Sequence, residues 1–108
     1  MSGALGRAWL AFSADEERRA ILRDLGVRYD AKLAAVFARI RRDGHAFAIL
    51  PRSGRLQGIA VAIRKRDRVL GCISMRFVRS AMSEAEAGAR FGAPLNALAR
   101  AIATDAAS

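Results

Sequence analysis

Few of the 108 residues are of a type that does covalent chemistry. There is one histidine, His45, and one cysteine, Cys72. One His with one Cys does not complete a metal site. No serine has a His and an Asp placed to activate it. Glu16, Glu17, Glu84 and Glu86 stand at helix starts, where the dipole favours negative charge, and form no pair for acid–base work. No catalytic residue, metal site or cofactor is expected. What remains is recognition of an anion. Cys72, Ser74 and Arg76 alternate along the chain, so they share a face if the segment is a strand. A guanidinium suits a carboxylate bidentately. It could equally pair with a protein Asp or Glu, or reach water at the strand end. Cys72 reads as a small buried hydrophobe, with pocket lining as the alternative. His45 and Trp9 read as structural residues.

The elements that must position these groups are marked by caps and periodicity. Ala4 to Phe12 is predicted to be a short helix. Ser13-Ala14-Asp15-Glu16 has the form of a capping box, opening a helix from Ala14 to about Leu25. Ala20, Ile21 and Leu25 would be its apolar face, and Gly26 its left-handed stop. Asp30 is the next N-cap. Leu33, Val36, Phe37 and Ile40 repeat at helical spacing to about Arg42, and Gly44 stops the helix. The period then changes to two. His45 to Leu50, Gly58 to Arg64 and Val69 to Phe77 are predicted strands, with a turn at Pro51-Arg52-Ser53-Gly54. The charged turn Lys65-Arg66-Asp67-Arg68 makes the last two strands antiparallel. Ser83-Glu84-Ala85-Glu86 is a second capping box, opening a helix to about Thr104. Pro94 is expected to kink or break it.

The predicted sheet has unequal faces. One holds His45, Phe47, Ile49, Ile59, Val61, Ile63, Ile73, Met75 and Phe77. The other holds Ala46, Ala48, Leu50, Gly58, Ala60, Ala62, Cys72, Ser74 and Arg76. A face of small residues leaves volume above it. Either a helix packs very close, or a ligand fills the space.

Apolar residues are 53% of the chain, enough for one small core, though alanine supplies 24 positions. Lys and Arg number 19 against 10 acids, for a net charge of +9. That balance admits an Arg-rich nucleic-acid-binding or dimerisation fragment as the rival reading. The arginines are spread over nearly every segment, however, and no zinc-finger spacing or aromatic platform accompanies them. One cysteine excludes an internal disulfide. No apolar run approaches the roughly 20 residues that span a bilayer. A cytoplasmic chain with no membrane partner is the expectation.

Several segments, in order, resemble the IclR family of transcriptional regulators. Ala4-Leu5-Gly6-Arg7-Ala8-Trp9-Leu10-Ala11 is similar to its A-x-G-[KR]-A-x-L-A helix. Arg41-Arg42-Asp43-Gly44-His45-Ala46 resembles its R-x-x-G-[YH]-A lead into a strand. Gly58-Ile59-Ala60-Val61-Ala62-Ile63 and Val69-Leu70-Gly71-Cys72-Ile73-Ser74 resemble its next two strands. The wording from Arg7 to Phe12, Val69 to Cys72 and Arg79 to Ser83 is most similar to regulators of 3-(3-hydroxyphenyl)propionate and related aromatic-acid catabolism.

The resemblance implies an α+β domain: an antiparallel sheet, three strands of it here, packed by about four helices. It is the GAF/profilin-like effector-binding domain, truncated at its N-terminal side, with residues 1–108 a partial domain. The DNA-binding helix-turn-helix is outside this chain. Expected partners are a small carboxylic acid effector and further copies, as a homodimer or homotetramer, with DNA bound only through the absent domain. By position, the effector carboxylate would meet the helix amides at Ala4, Leu5 and Gly6. Ala48, Gly58, Cys72, Ser74 and Arg76 would line the pocket. Small-acid-binding relatives carry Asp, Cys and a second Ser where this chain has Ala48, Gly58 and Arg76. That departure implies a roomier, more apolar cavity for an aromatic or larger acid.

Overall fold

The computed structural model describes residues 3–49, 54–66 and 68–106. Its element order is α1 (Ala4–Phe12), α2 (Asp15–Asp24), α3 (Ala31–Asp43), β1 (Ala46–Ile49), β2 (Leu56–Lys65), β3 (Arg68–Val78) and α4 (Glu84–Ala106). The predicted α+β class, with three strands and four helices, and the antiparallel pairing of the last two strands hold. The sheet is antiparallel in the order β1-β2-β3. Leu50, the Pro51–Ser53 part of the first turn, and Asp67 lie outside the described residues.

The caps explain most boundaries. Asp30 accepts from the Leu33 amide at 2.9 Å and starts α3. Gly26 and Gly44 take φ of 70° and 83°, which a side chain resists, and close α2 and α3. Ser83 and Glu86 bond reciprocally at 3.1 and 3.2 Å, so the second capping box forms. The first does not. The Ser13 hydroxyl donates back to the Trp9 carbonyl at 2.7 Å, and Ala14 stands at the α2 N-cap with no side-chain bond. The competing demand is the α1 C-terminus, whose last carbonyls lack helical partners. Pro94 does not end α4, which runs unbroken through it. Pro94 is exposed, so the carbonyl it leaves unbonded can face water.

The apolar face of α2 also differs from expectation. Ala20 and Leu25 are exposed, while Leu22 and Arg18 are buried. Arg18 substitutes hydrogen bonds for apolar contact: Nε donates to Leu10 O at 2.7 Å and Nη2 to Ser13 O at 2.6 Å.

The sheet divides two cores. Leu22, Phe37 and Ile40 of α2 and α3 join Ala4, Ala8, Leu10 and Ala11 of α1 over Ala46, Ala48 and Ala60. On the other face, Ile59, Val61 and Phe77 meet Ala87, Leu95 and Ala99 of α4. Burying Phe37 and Leu22 contributes about 2–3 kcal/mol each. Gly88 and Gly92 let α4 approach His45: a Cβ on either would sit 3.0–3.1 Å from the imidazole. His45 also stacks edge-on to Phe47, centroids 5.2 Å apart, which makes it a packing residue.

Candidate functional site

The register of the strands assembles the small face. Ala48 pairs with Gly58 and Gly58 with Arg76, forming one row across all three strands. Ala46, Ala60 and Ser74 form the next row, and Ala62 pairs with Cys72. Over the inner rows α1 packs close, and Ala46, Ala60, Ala8 and Ala11 are essentially dry. Gly58 faces α1 across this row: a Cβ there would meet Ala4 Cβ at 3.5 Å, an ordinary contact, so α1 would tolerate a methyl at this position but a larger side chain would reach into the space beside it.

Close packing gives way at the α1 N-terminus. There a notch of about 120 Å³ opens, lined by Gly3, Ala4, Leu5, Ala48, Ile49, Gly58, Ser74 and Arg76. So α1 packs close over most of the small face, and open volume remains at its N-terminal end. Gly3 is the α1 N-cap and carries no side chain to satisfy the first amides. The first helical bond formed is Arg7 N to Gly3 O at 3.1 Å, so the amides of Ala4, Leu5 and Gly6 precede the ladder. Free amides and the positive end of the dipole make an anion site.

Six of the eight residues assigned to a pocket from the sequence line this notch: Ala4, Leu5, Ala48, Gly58, Ser74 and Arg76. Two do not. Gly6 is one residue further along α1. Cys72 Sγ donates to the Leu5 carbonyl at 3.6 Å and so ties α1 to β3. Burial pushes that thiol up to about 11. Arg76, for which a ligand carboxylate, a protein acid and water at the strand end were equal expectations, is exposed at the rim. Its charge therefore carries little desolvation cost and is free to meet a ligand.

Gly3 and Ile49 were not foreseen in the site. Gly3 is recognisable as the residue before the first helical position. Ile49 belongs by alternation to the bulky face. At the last position of β1 it is instead 46% exposed and reaches the notch. Arg7, also unforeseen, fastens α1 to β1 through Nη1 to Phe47 O at 2.9 Å.

A second cleft, of about 200 Å³, is lined in part by Arg7, Arg39, Asp43, His45 and Glu84. Arg39 already meets Asp43 at 3.5 Å, and the lining charges cancel. No cluster among the described residues could hold a metal ion. No helix of the described residues is long and apolar enough to cross a membrane.

No family model matches the chain. Solved structures do. The C-terminal domain of a Vibrio cholerae transcriptional regulator superposes with a TM-score of 0.74 at 24% identity, covering 92% of this chain and 60% of that one. The C-terminal domain of the Escherichia coli transcriptional regulator KdgR gives 0.77 at 25%, covering 95% and 68%. An IclR transcriptional regulator from a Silicibacter species gives 0.72 at 26%, covering 96% and 44%. The chain thus spans well under two thirds of most of the regulators it matches. Its fold is that of the C-terminal domains of transcriptional regulators, IclR-type regulators among them.

Proposed function

We propose that this chain is the effector-sensing part of an IclR-type transcriptional regulator and that its ligand is a small carboxylic acid. The observation that carries the reading is one juxtaposition: the uncapped α1 N-terminus and the exposed Arg76 guanidinium line the same notch. The carboxylate accepts from the α1 amides and Arg76 supplies the counter-charge. Ser74 offers a hydroxyl to a second polar group of the ligand.

The volume argues for a compact head group. An apolar cavity of about 150 Å³ accommodates benzene, and this notch holds about 120 Å³. Leu5 and Ile49, each 46% exposed, extend the notch with an apolar rim. An aromatic acid seats its carboxylate at the amides and rests its ring on those two side chains, in line with the resemblance to aromatic-acid regulators. Residues 1–108 are then a partial effector domain in a cytoplasmic protein. In that intact dimer or tetramer, effector binding shifts the balance between states of different DNA affinity, and DNA is touched by a helix-turn-helix outside this chain.

The test is a thermal-shift screen against carboxylic acids from pyruvate to hydroxyphenylpropionates, on the wild type and Arg76→Ala. A ligand at a hundredfold excess over its Kd stabilises the folded state by about 2.7 kcal/mol. A selective rise in Tm with acids, lost in Arg76→Ala while the unliganded Tm moves little, is the expected result. A cooperative melt that no acid moves, or an acid response indifferent to Arg76, contradicts the reading.

A further inference from the structure

The opposite end of α1 carries a second concave surface that the sensing reading does not use. A cleft of about 390 Å³ is walled by Arg18, Arg41, Arg64 and Arg66, with no carboxylate lining it among the described residues. Two of these arginines have a structural task. Arg18 and Arg41 both donate to the Ala11 carbonyl, at 3.3 and 3.0 Å, and so offset the negative end of the helix dipole. Arg18 is buried, and its remaining bonds go to Leu10 O, Ser13 O and Asp15. Arg64 and Arg66 are surplus to that task.

Arg64 is fixed all the same. Its guanidinium lies 4.0 Å above the centre of the Phe12 ring, a stacking that fixes the plane and leaves the N–H edge free to donate. Arg66 stands in the left-handed region at φ 56°, where a long side chain is uncommon. That conformation is disfavoured for a residue with a side chain and belongs to the turn between β2 and β3. Asp15, the nearest acid on the bordering helix start, is shared between Arg18 and Arg19 and does not line the cleft.

We propose that this cleft binds a small phosphate-bearing anion, with Arg64 and Arg66 as its principal ligands and Arg41 contributing its unused N–H groups. Planar guanidiniums lining one depression match the oxygens of a phosphoryl group, and two adjacent phosphates match the spread of several arginines. Four guanidiniums around one depression suit a diphosphate-sized ligand, whereas a nucleic-acid backbone needs a stripe of cations along a surface. The carboxylate notch at the other end of α1 is not involved.

The experiment is calorimetric titration of the full chain with inorganic pyrophosphate at constant, near-physiological ionic strength. It is repeated on the double variant Arg64→Gln, Arg66→Gln and on Arg76→Gln. Saturable one-to-one binding is expected, tighter than that of sulfate or acetate. The double variant loses about tenfold or more in affinity and keeps its Tm, since Arg18 and Arg41 still hold α1. Arg76→Gln binds pyrophosphate like the wild type. Absence of saturable binding, or equal affinity in the double variant, overturns the proposal. So does tight, steeply salt-dependent binding of duplex DNA without pyrophosphate binding.

Discussion

Cys72 and Arg76 stand four residues apart on the same face of β3, yet their environments separate their roles. Arg76 is exposed, and its charge is available. Cys72 faces α1, where its thiol donates to Leu5 O and burial raises its pKa from 9.0 to about 11. The folded state thus favours the neutral thiol. Its contribution to stability is present below about pH 9 and is lost as the pH rises through about 11. Alkylation of the native protein by iodoacetamide at pH 8 should run up to about a hundredfold slower than alkylation of a free peptide thiol. A native rate equal to the free one would place Cys72 in an open, reactive site instead. At this scale the sequence was informative where alternation alone decides the face: Ala48, Gly58 and Arg76 share one by period two, and the register of the structure sets them in one row. It was uninformative on exposure. Alternation puts Ile49 on the bulky face with Phe47 and does not say that its core-type side chain is left at the rim.

Helix α1 owes its position to its neighbours more than to its own composition. It is nine residues long, too short to be stable alone. Its C-terminal carbonyls are taken by Ser13, Arg18 and Arg41, and Arg7 ties it to β1. Arg18→Ala should destabilise the fold by about 2–4 kcal/mol, because buried carbonyls at the α1–α2 junction lose their donor. Urea denaturation would measure it. A change below about 0.5 kcal/mol, the usual range for a surface substitution, would mean that water replaces the guanidinium without cost. This junction is also where sequence reasoning failed. Ser13 followed by Glu16 has the pattern of a helix start, but the same hydroxyl has another acceptor within reach in Trp9 O. A local pattern cannot rank two local partners. The Ser83–Glu86 box, with no preceding helix to compete, forms as the pattern says.

Across the whole molecule, one sheet separates a thin alanine-rich core under α1 from a bulkier one under α4. That division was legible before any coordinates, because small and large side chains alternate in phase on all three strands. The sequence predicted the pairing of β2 with β3 but did not say where β1 joins; the structure places β2 in the centre, while β1 and β3 each have one neighbour among the described residues. Hydrogen exchange should therefore find the β2 amides most protected and alternate β3 amides, those directed away from β2, in fast exchange. Uniform protection along β3 would show that its outer edge is covered, by another copy or by further chain. The central claim concerns the other end of the design, the α1 N-terminus above Gly58. The most direct measurement is a ¹H–¹⁵N correlation titration of the labelled chain with a carboxylic acid that raises its Tm. The account expects saturable shifts concentrated at the amides of Ala4, Leu5 and Gly6 and at the Arg76 side chain. It expects them to vanish in Gly58→Val, whose added methyls occupy the notch beneath Ala4. Saturable shifts elsewhere, with those amides unmoved, would contradict it.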